Sequence, residues 1–331
     1  MPKKEKPAKI VKPDYAKVNH DLLNAFQLGD KCDALGGYIY MKYPYYFTYT
    51  ILKTAGLQAK KPTFQKVSRD VAEMMQMFVD QLIIRGATKD TSIFHGKVIR
   101  PEEAVRLASQ TEDMHLVPSE RVIPFKETRE ILFENPNTFA LGRCMCRAVG
   151  VNTCLPPSEQ HVCLFIGEPN VSFLVSQNPY FRRVTPKEAL KLLEDCHKAG
   201  FVQFAYFEKP AADRLNAICN CCSCCCIGMQ MWKSMYPHND NPFLMPSGFV
   251  PEVSDICNGC GECTRFCGFQ AISVDEKTQK VVFDMDRCMG CGLCRDNCPV
   301  EAIKLRLEPK FGDPLDIEAL KREQLPGKSQ G

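Results

Sequence analysis

From Lys66 to Arg85 apolar residues recur about every 3.6 positions (Val67, Val71, Met74, Met75, Phe78, Val79, Leu82, Ile83), and the pattern stops at Gly86. This predicts an amphipathic helix. Pro101–Ser109 predicts a second, with proline at its first helical position. Between them, Ile93–Ile99 reads as a short hairpin, so residues 21–119 suggest a helical N-terminal domain with a winged-helix-like unit. Further on, Pro124–Glu134 and Pro186–Ala199 read as helices, the second with Thr185 as N-cap and an end at Gly200. Val162–Ile166 and Phe201–Phe207 read as strands, and Ile227–Tyr236 as helix. Ala271–Val274 and Lys280–Phe283 flank a charged turn, as in a hairpin. The expected class is α+β. Its parts are a basic tail (1–20), the helical domain (21–119), a cysteine-rich α/β middle domain (120–248), a compact third block (251–307) and a polar tail (308–331).

The 331 residues are 45% apolar and 24% charged, which excludes wholesale disorder. Forty-two basic against 39 acidic residues leave a net charge of +3, too small and too mixed to indicate nucleic acid. The six lysines of the first seventeen residues keep DNA binding only as a weaker alternative. No uncharged run approaches the roughly 20 residues of a membrane span. The longest candidate, Gly36–Leu57, is broken by Lys42, Pro44 and Lys53. Met1–Lys17 has no apolar core of a secretory signal, so a cytoplasmic, reducing location is expected. There, twenty closely spaced cysteines point to metal rather than to disulfides.

Two cysteine quartets stand near the C-terminus. Cys257, Cys260, Cys263 and Cys267 are repeated 31 residues later as Cys288, Cys291, Cys294 and Cys298, with Gly259, Gly261, Ala271 and Ile272 repeated as Gly290, Gly292, Ala302 and Ile303. This is an internal duplication. A tight C-x2-C-x2-C loop can wrap an iron–sulfur cube and give thiolates to three of its irons, while the glycines let backbone N–H groups approach the sulfides. The fourth cysteine of each run serves the other cluster. The expected ligands are Cys257, Cys260, Cys263 and Cys298 for one 4Fe–4S cluster, and Cys288, Cys291, Cys294 and Cys267 for a second. A pair of zinc ribbons fits badly, because such sites use separated CxxC pairs. The block resembles bacterial-type two-cluster ferredoxins over about residues 251–307, which implies single-electron transfer. It departs from them at Gly268, where that family often has proline.

The middle region adds Cys144, Cys146, Cys154 and Cys163, then the run Cys219, Cys221, Cys222, Cys224, Cys225 and Cys226. One cube takes four thiolates and two take eight, so these ten exceed any single simple site. In a strand, Cys221 and Cys222 would face opposite ways. The run is therefore expected to supply ligands in two directions, completed by the four earlier cysteines. The metal is a further iron–sulfur cluster, with zinc as the alternative. Arg143 and Arg147 could offset the charge of a thiolate-ligated cluster, while Cys32 and Cys196 read as buried structural thiols. The CxCR motif at Cys144–Arg147, the CNCCxCCC run and the terminal ferredoxin block together resemble an uncharacterised class of anaerobe iron–sulfur proteins, over about residues 120–307. That resemblance implies cluster binding and an anaerobic host, but no particular reaction.

The remaining features favour packing over chemistry. Six tyrosines between Tyr38 and Tyr49 read as a core edge, and His161 as a structural histidine. No Walker A loop, GxGxxG turn or HExxH pair occurs. The expected function is iron–sulfur electron transfer to a redox partner protein. The alternatives are a reductase acting at the middle cluster and a redox- or metal-sensing transcription regulator.

Overall fold

The computed structural model describes residues 31–87, 94–123, 131–133, 135–208, 214–235 and 244–324. Three helices come first: α1 (Lys31–Lys42), α2 (Pro44–Thr54) and α3 (Arg69–Ala87). There follow β1 (Phe94–Ile99), α4 (Pro101–Ala108), β2 (Met114–Leu116), β3 (Ile131–Phe133), β4 (Phe139–Arg143) and α5 (Met145–Val149). Next are β5 (His161–Ile166), α6 (Asn170–Gln177), β6 (Phe181–Val184), α7 (Pro186–Lys198), β7 (Val202–Glu208), β8 (Arg214–Cys221), α8 (Ile227–Met235) and β9 (Leu244–Met245). The C-terminal part holds β10 (Phe249–Val253), α9 (Glu262–Phe266), β11 (Ile272–Val274), β12 (Val281–Phe283), α10 (Leu293–Asp296), β13 (Ile303–Leu307) and α11 (Ile317–Gln324). The α+β class expected from the sequence is observed.

Seven strands form one sheet in the order β6-β4-β5-β8-β7-β1-β9. All neighbours are antiparallel except β1 and β9. Along β5 the side chains alternate between two cores. Cys163 and Phe165 join Met41, Tyr45, Phe47, Met75 and Val79 from the N-terminal helices. Leu164 and Ile166 join Leu107 of α4, Leu193 of α7 and Leu320 of α11. A sheet buried on both faces explains the unbroken apolar run Val162–Ile166 of β5. The helix α7 begins as expected: Thr185 Oγ1 accepts from the Glu188 N–H at 3.2 Å, and Glu188 accepts from the Thr185 N–H at 2.9 Å.

Three expectations are corrected. Of the residues read as a hairpin at 93–99, the described ones (94–99) form the single interior strand β1, paired with β7 on one side and β9 on the other. Val98 and Ile99 are both fully buried, so this strand is covered on two faces and forms no local wing. The helix expected over Pro124–Glu134 is a strand in its described part, because Ile131–Phe133 pairs with Met114–Leu116; residues 124–130 lie outside the described residues. The polar tail is packed up to Gln324, where Leu315, Ile317 and Leu320 are buried beneath α4. The basic tail 1–20 lies outside the described residues.

The duplicated block folds with matching halves. Its first and last strands pair (β10 with β13), as do β11 and β12, the expected hairpin. Gly259 and Gly290 both have left-handed backbones (φ 66° and 65°), and a Cβ there would lie 2.0 and 2.1 Å from the carbonyls of Gln279 and Phe249. The block is tied to the large sheet and its helices by His197–Asp296 (2.8 Å), Arg295–Glu102 (2.7 Å) and the Arg100 guanidinium 3.6 Å above the Phe249 ring.

Candidate metal centres

The C-terminal thiols gather in two crossed sets. The electrostatic neighbours of Cys263 are Cys260, Cys298 and Cys257. Those of Cys294 are Cys291, Cys288 and Cys267, then Cys263 of the other set. The fourth cysteine of each run thus sits with the other run, and the two sets adjoin. Cys267 accepts the Ala271 N–H at 3.2 Å, and Cys298 accepts the Ala302 N–H at 3.2 Å, repeating the duplication at the level of single bonds. Burial pushes the thiols of Cys263 and Cys288 up to about 11 and that of Cys291 to about 12. Without a cation these groups stay neutral, so metal binding must draw off their protons. Cys267, Cys288, Cys291 and Cys294 line one hollow, walled by Phe266, Phe269, Ile272, Phe283 and Met289. Four inward thiols in an apolar hollow suit a 4Fe–4S cube.

The ten middle cysteines separate into six and four. In the first group each thiol has two thiol neighbours. Cys144 faces Cys146 and Cys163; Cys146 faces Cys226; Cys226 faces Cys221; Cys221 faces Cys219; and Cys219 faces Cys163. The six close into a ring. Its members come from distant segments: Cys144 and Cys146 from the start of α5, Cys163 and Cys219 from directly paired positions of β5 and β8, Cys221 two residues on along the same face, and Cys226 from the turn into α8. The second group is Cys154, Cys222, Cys224 and Cys225, whose sulfurs all lie within 4.8 Å of one another. Cys154 and Cys224 are exposed. Cys221 and Cys222 therefore do face different groups, although the residues after Cys221 form a turn and the helix begins only at Ile227.

Arg147 lies between the two groups. It is 2% exposed, and its Nη1 donates to the Asn220 carbonyl at 3.0 Å. Its Nε and Nη2 have no oxygen acceptor. Burial opposes its charge, but Cys144, Cys222, Cys154 and Cys221 face it and drive its pKa up, holding the guanidinium charged. Arg143 is placed otherwise, donating to Gln160 at 2.9 Å and lying over the Phe64 ring. Cys196 is buried on α7 outside both groups, its thiol pushed up to about 12 by burial. The side chain of Cys32 lies outside the described residues. His161 pairs with Arg143 in the β4–β5 ladder.

Several neighbours of the ring were not singled out in the sequence. The Tyr206 hydroxyl lies 3.7 Å from Cys226 Sγ, in space left by Gly96 and Gly228. Buried Asn220 donates to the Val162 carbonyl at 2.9 Å and accepts from Gln203 at 3.1 Å, fixing β8 beside β5 and β7. Tyr45, one of the six clustered tyrosines, is fully buried beside Cys163 and Cys144 and donates to the Arg143 carbonyl at 3.1 Å. The asparagine directly before Cys221, within the cysteine run itself, was the only available hint of this polar support.

With this geometry in view, residues 256–302 match the domain family described as the 4Fe-4S dicluster domain. No curated protein and no solved structure matches the chain. The C-terminal block is thus a ferredoxin-type dicluster domain, joined here to a cysteine-rich middle region with metal-binding geometry. Among the described residues, no helix is long and apolar enough to cross a membrane.

Proposed function

We propose that this chain is an electron-transfer protein whose two ferredoxin cubes pass single electrons to a further iron–sulfur cluster held by the buried thiol ring. Cys257, Cys260, Cys263 and Cys298 hold the first cube; Cys288, Cys291, Cys294 and Cys267 hold the second. Cys144, Cys146, Cys163, Cys219, Cys221 and Cys226 surround the third site. The observation that carries the reading is a shared apolar cluster. Cys221 and Cys226 of the ring pack with Phe269, Met289 and Trp232, and Cys219, Cys267 and Cys291 border the same cluster. Gly268 makes this approach close: a Cβ there would lie 2.9 Å from Met229 Cε and 3.6 Å from Ser223 Cβ.

The first cube is the entry point. Cys260 is exposed, and Ile256 and Val282 nearby are 63% and 48% exposed, an apolar rim on which a redox partner protein can sit. The alternative, a reductase turning over substrate at the ring, is less well supported, because Cys144, Cys163, Cys221 and Cys226 are all buried. The regulator reading gains nothing from α3, which offers solvent Glu73 and Met77 rather than a basic strip.

Anaerobic iron and sulfide counting with Mössbauer and EPR spectra tests the proposal. Total iron should exceed the roughly eight atoms of two cubes. Substituting Cys163→Ala with Cys219→Ala should bring it down to that value while the ferredoxin signals persist. A parent protein with no iron beyond the two cubes refutes the middle cluster.

A further inference from the structure

We propose that Cys154, Cys222, Cys224 and Cys225 form a second kind of metal site, separate from the ring, which holds one tetrahedral zinc ion. The argument is one of spacing. Cys154 and Cys222 sulfurs are 3.3 Å apart, Cys224 and Cys225 3.4 Å, and Cys225 and Cys154 4.0 Å. Zinc–sulfur bonds of about 2.3 Å in a tetrahedron set sulfur–sulfur edges near 3.8 Å. Thiolates on different irons of a cube point outward from its corners and stand farther apart. The molecule contains its own comparison: among the described residues, these four thiols close to single-ion spacing, whereas the ferredoxin quartets do not.

Ligand chemistry agrees. Four thiolates without carboxylate or imidazole favour zinc or iron in tetrahedral geometry, and a closed set of four protein ligands marks a structural zinc. Two members are exposed, which gives the ion a path from solvent. Arg147, with two buried nitrogens that find no oxygen, faces Cys222 and Cys154 and offsets the negative charge of a tetrathiolate. The Ser223 carbonyl, at the centre of the turn, is held by Gln230 and Lys233, each at 2.8 Å.

The site also has a task. Cys221 and Cys226 of the ring bracket the other three thiols of the same turn, and Cys154 comes from the loop after α5. An ion here ties that loop to the turn that also carries Cys221 and Cys226. The site stands independently of the cluster reading, and each can fail without the other.

The test uses full-length protein, supplied with zinc, reconstituted anaerobically with iron and sulfide, then dialysed against a weak chelator. The parent should retain one zinc per chain. Cys154→Ala with Cys224→Ala, both exposed positions, should lower zinc at least about tenfold and leave iron and sulfide unchanged. Cys163→Ala should do the reverse, losing iron and keeping zinc. Cobalt supplied instead of zinc should give the ligand-field bands of a tetrahedral thiolate site in the parent and not in the double variant. The proposal is overturned if the double variant keeps its zinc, if it loses iron and sulfide together, or if the parent shows no such cobalt bands.

Discussion

In the ferredoxin block, three thiols of each set come from one loop, Cys257–Cys263 or Cys288–Cys294, and only the fourth crosses over. In the middle region no single loop carries the ring: the strand pair β5–β8, the start of α5 and the turn into α8 each contribute. The first arrangement rests on little else. Its own apolar cluster has Cys263, Val281 and Ile303 as its buried members, and four of the seven side chains packed against them are not cysteine. The second arrangement is mounted on a sheet with apolar cores on both faces. One region has cysteines for much of its small core; the other sets its cysteines against large apolar cores.

Stripping the iron should separate them most sharply. Because cluster binding supplies folding free energy to a block with so small a core, hydrogen exchange in β10 to β13 should rise to near-unfolded rates while β7 and β8 stay protected. Equal loss in both regions would break the contrast. Replacing Arg147 by methionine should come next, at about 3–5 kcal/mol, since thiolates would lose a buried counter-charge. With clusters in place, the potential of the ring cluster should fall and those of the ferredoxin cubes should not move, as a spectroelectrochemical titration would show.

The sheet should answer to protons where the ferredoxin block answers to iron. Lys97 of β1 is 2% exposed and donates to the Asp313 carbonyl at 2.8 Å; burial pushes its pKa down to about 8. Between that pH and the ordinary lysine range the unfolded chain holds a proton that the folded chain has released. Its contribution to stability therefore rises with pH across this window and is lost as pH falls through about 8, a swing of roughly 3 kcal/mol. Denaturation curves for the parent and Lys97→Met, compared at each pH, should differ by that slope. The smallest effect is expected at the seam. Gly268→Pro should cost about 1–3 kcal/mol through overlap with Met229, and should slow reduction of the ring cluster by the ferredoxin cubes in stopped-flow traces.

The same contrast explains what the sequence could reveal. The dicluster domain was legible because spacing within a loop is itself geometry, and the 31-residue repeat supplied it twice. The helix after Thr185 was legible because capping is local. The division of the ten middle cysteines was not, because Cys163 meets Cys219 only through the β5–β8 register, and Cys154 meets Cys222 only when the loop after α5 folds over the turn. Strand β8 was not predicted because its interior positions include Asn216 and Asn220, which interrupt any apolar pattern although the sheet buries both and satisfies Asn220. β1 was misread because its sheet partners lie more than a hundred residues away in the chain.

The pairing of β10 with β13 has a consequence for how such a molecule can be put together. The polypeptide enters and leaves the dicluster domain along one shared edge, Phe249 opposite Leu307 and Val253 opposite Ile303. A segment with adjoining ends can be exchanged as a cassette: a graft of different redox poise could be joined at the same two points and leave the host sheet uncut.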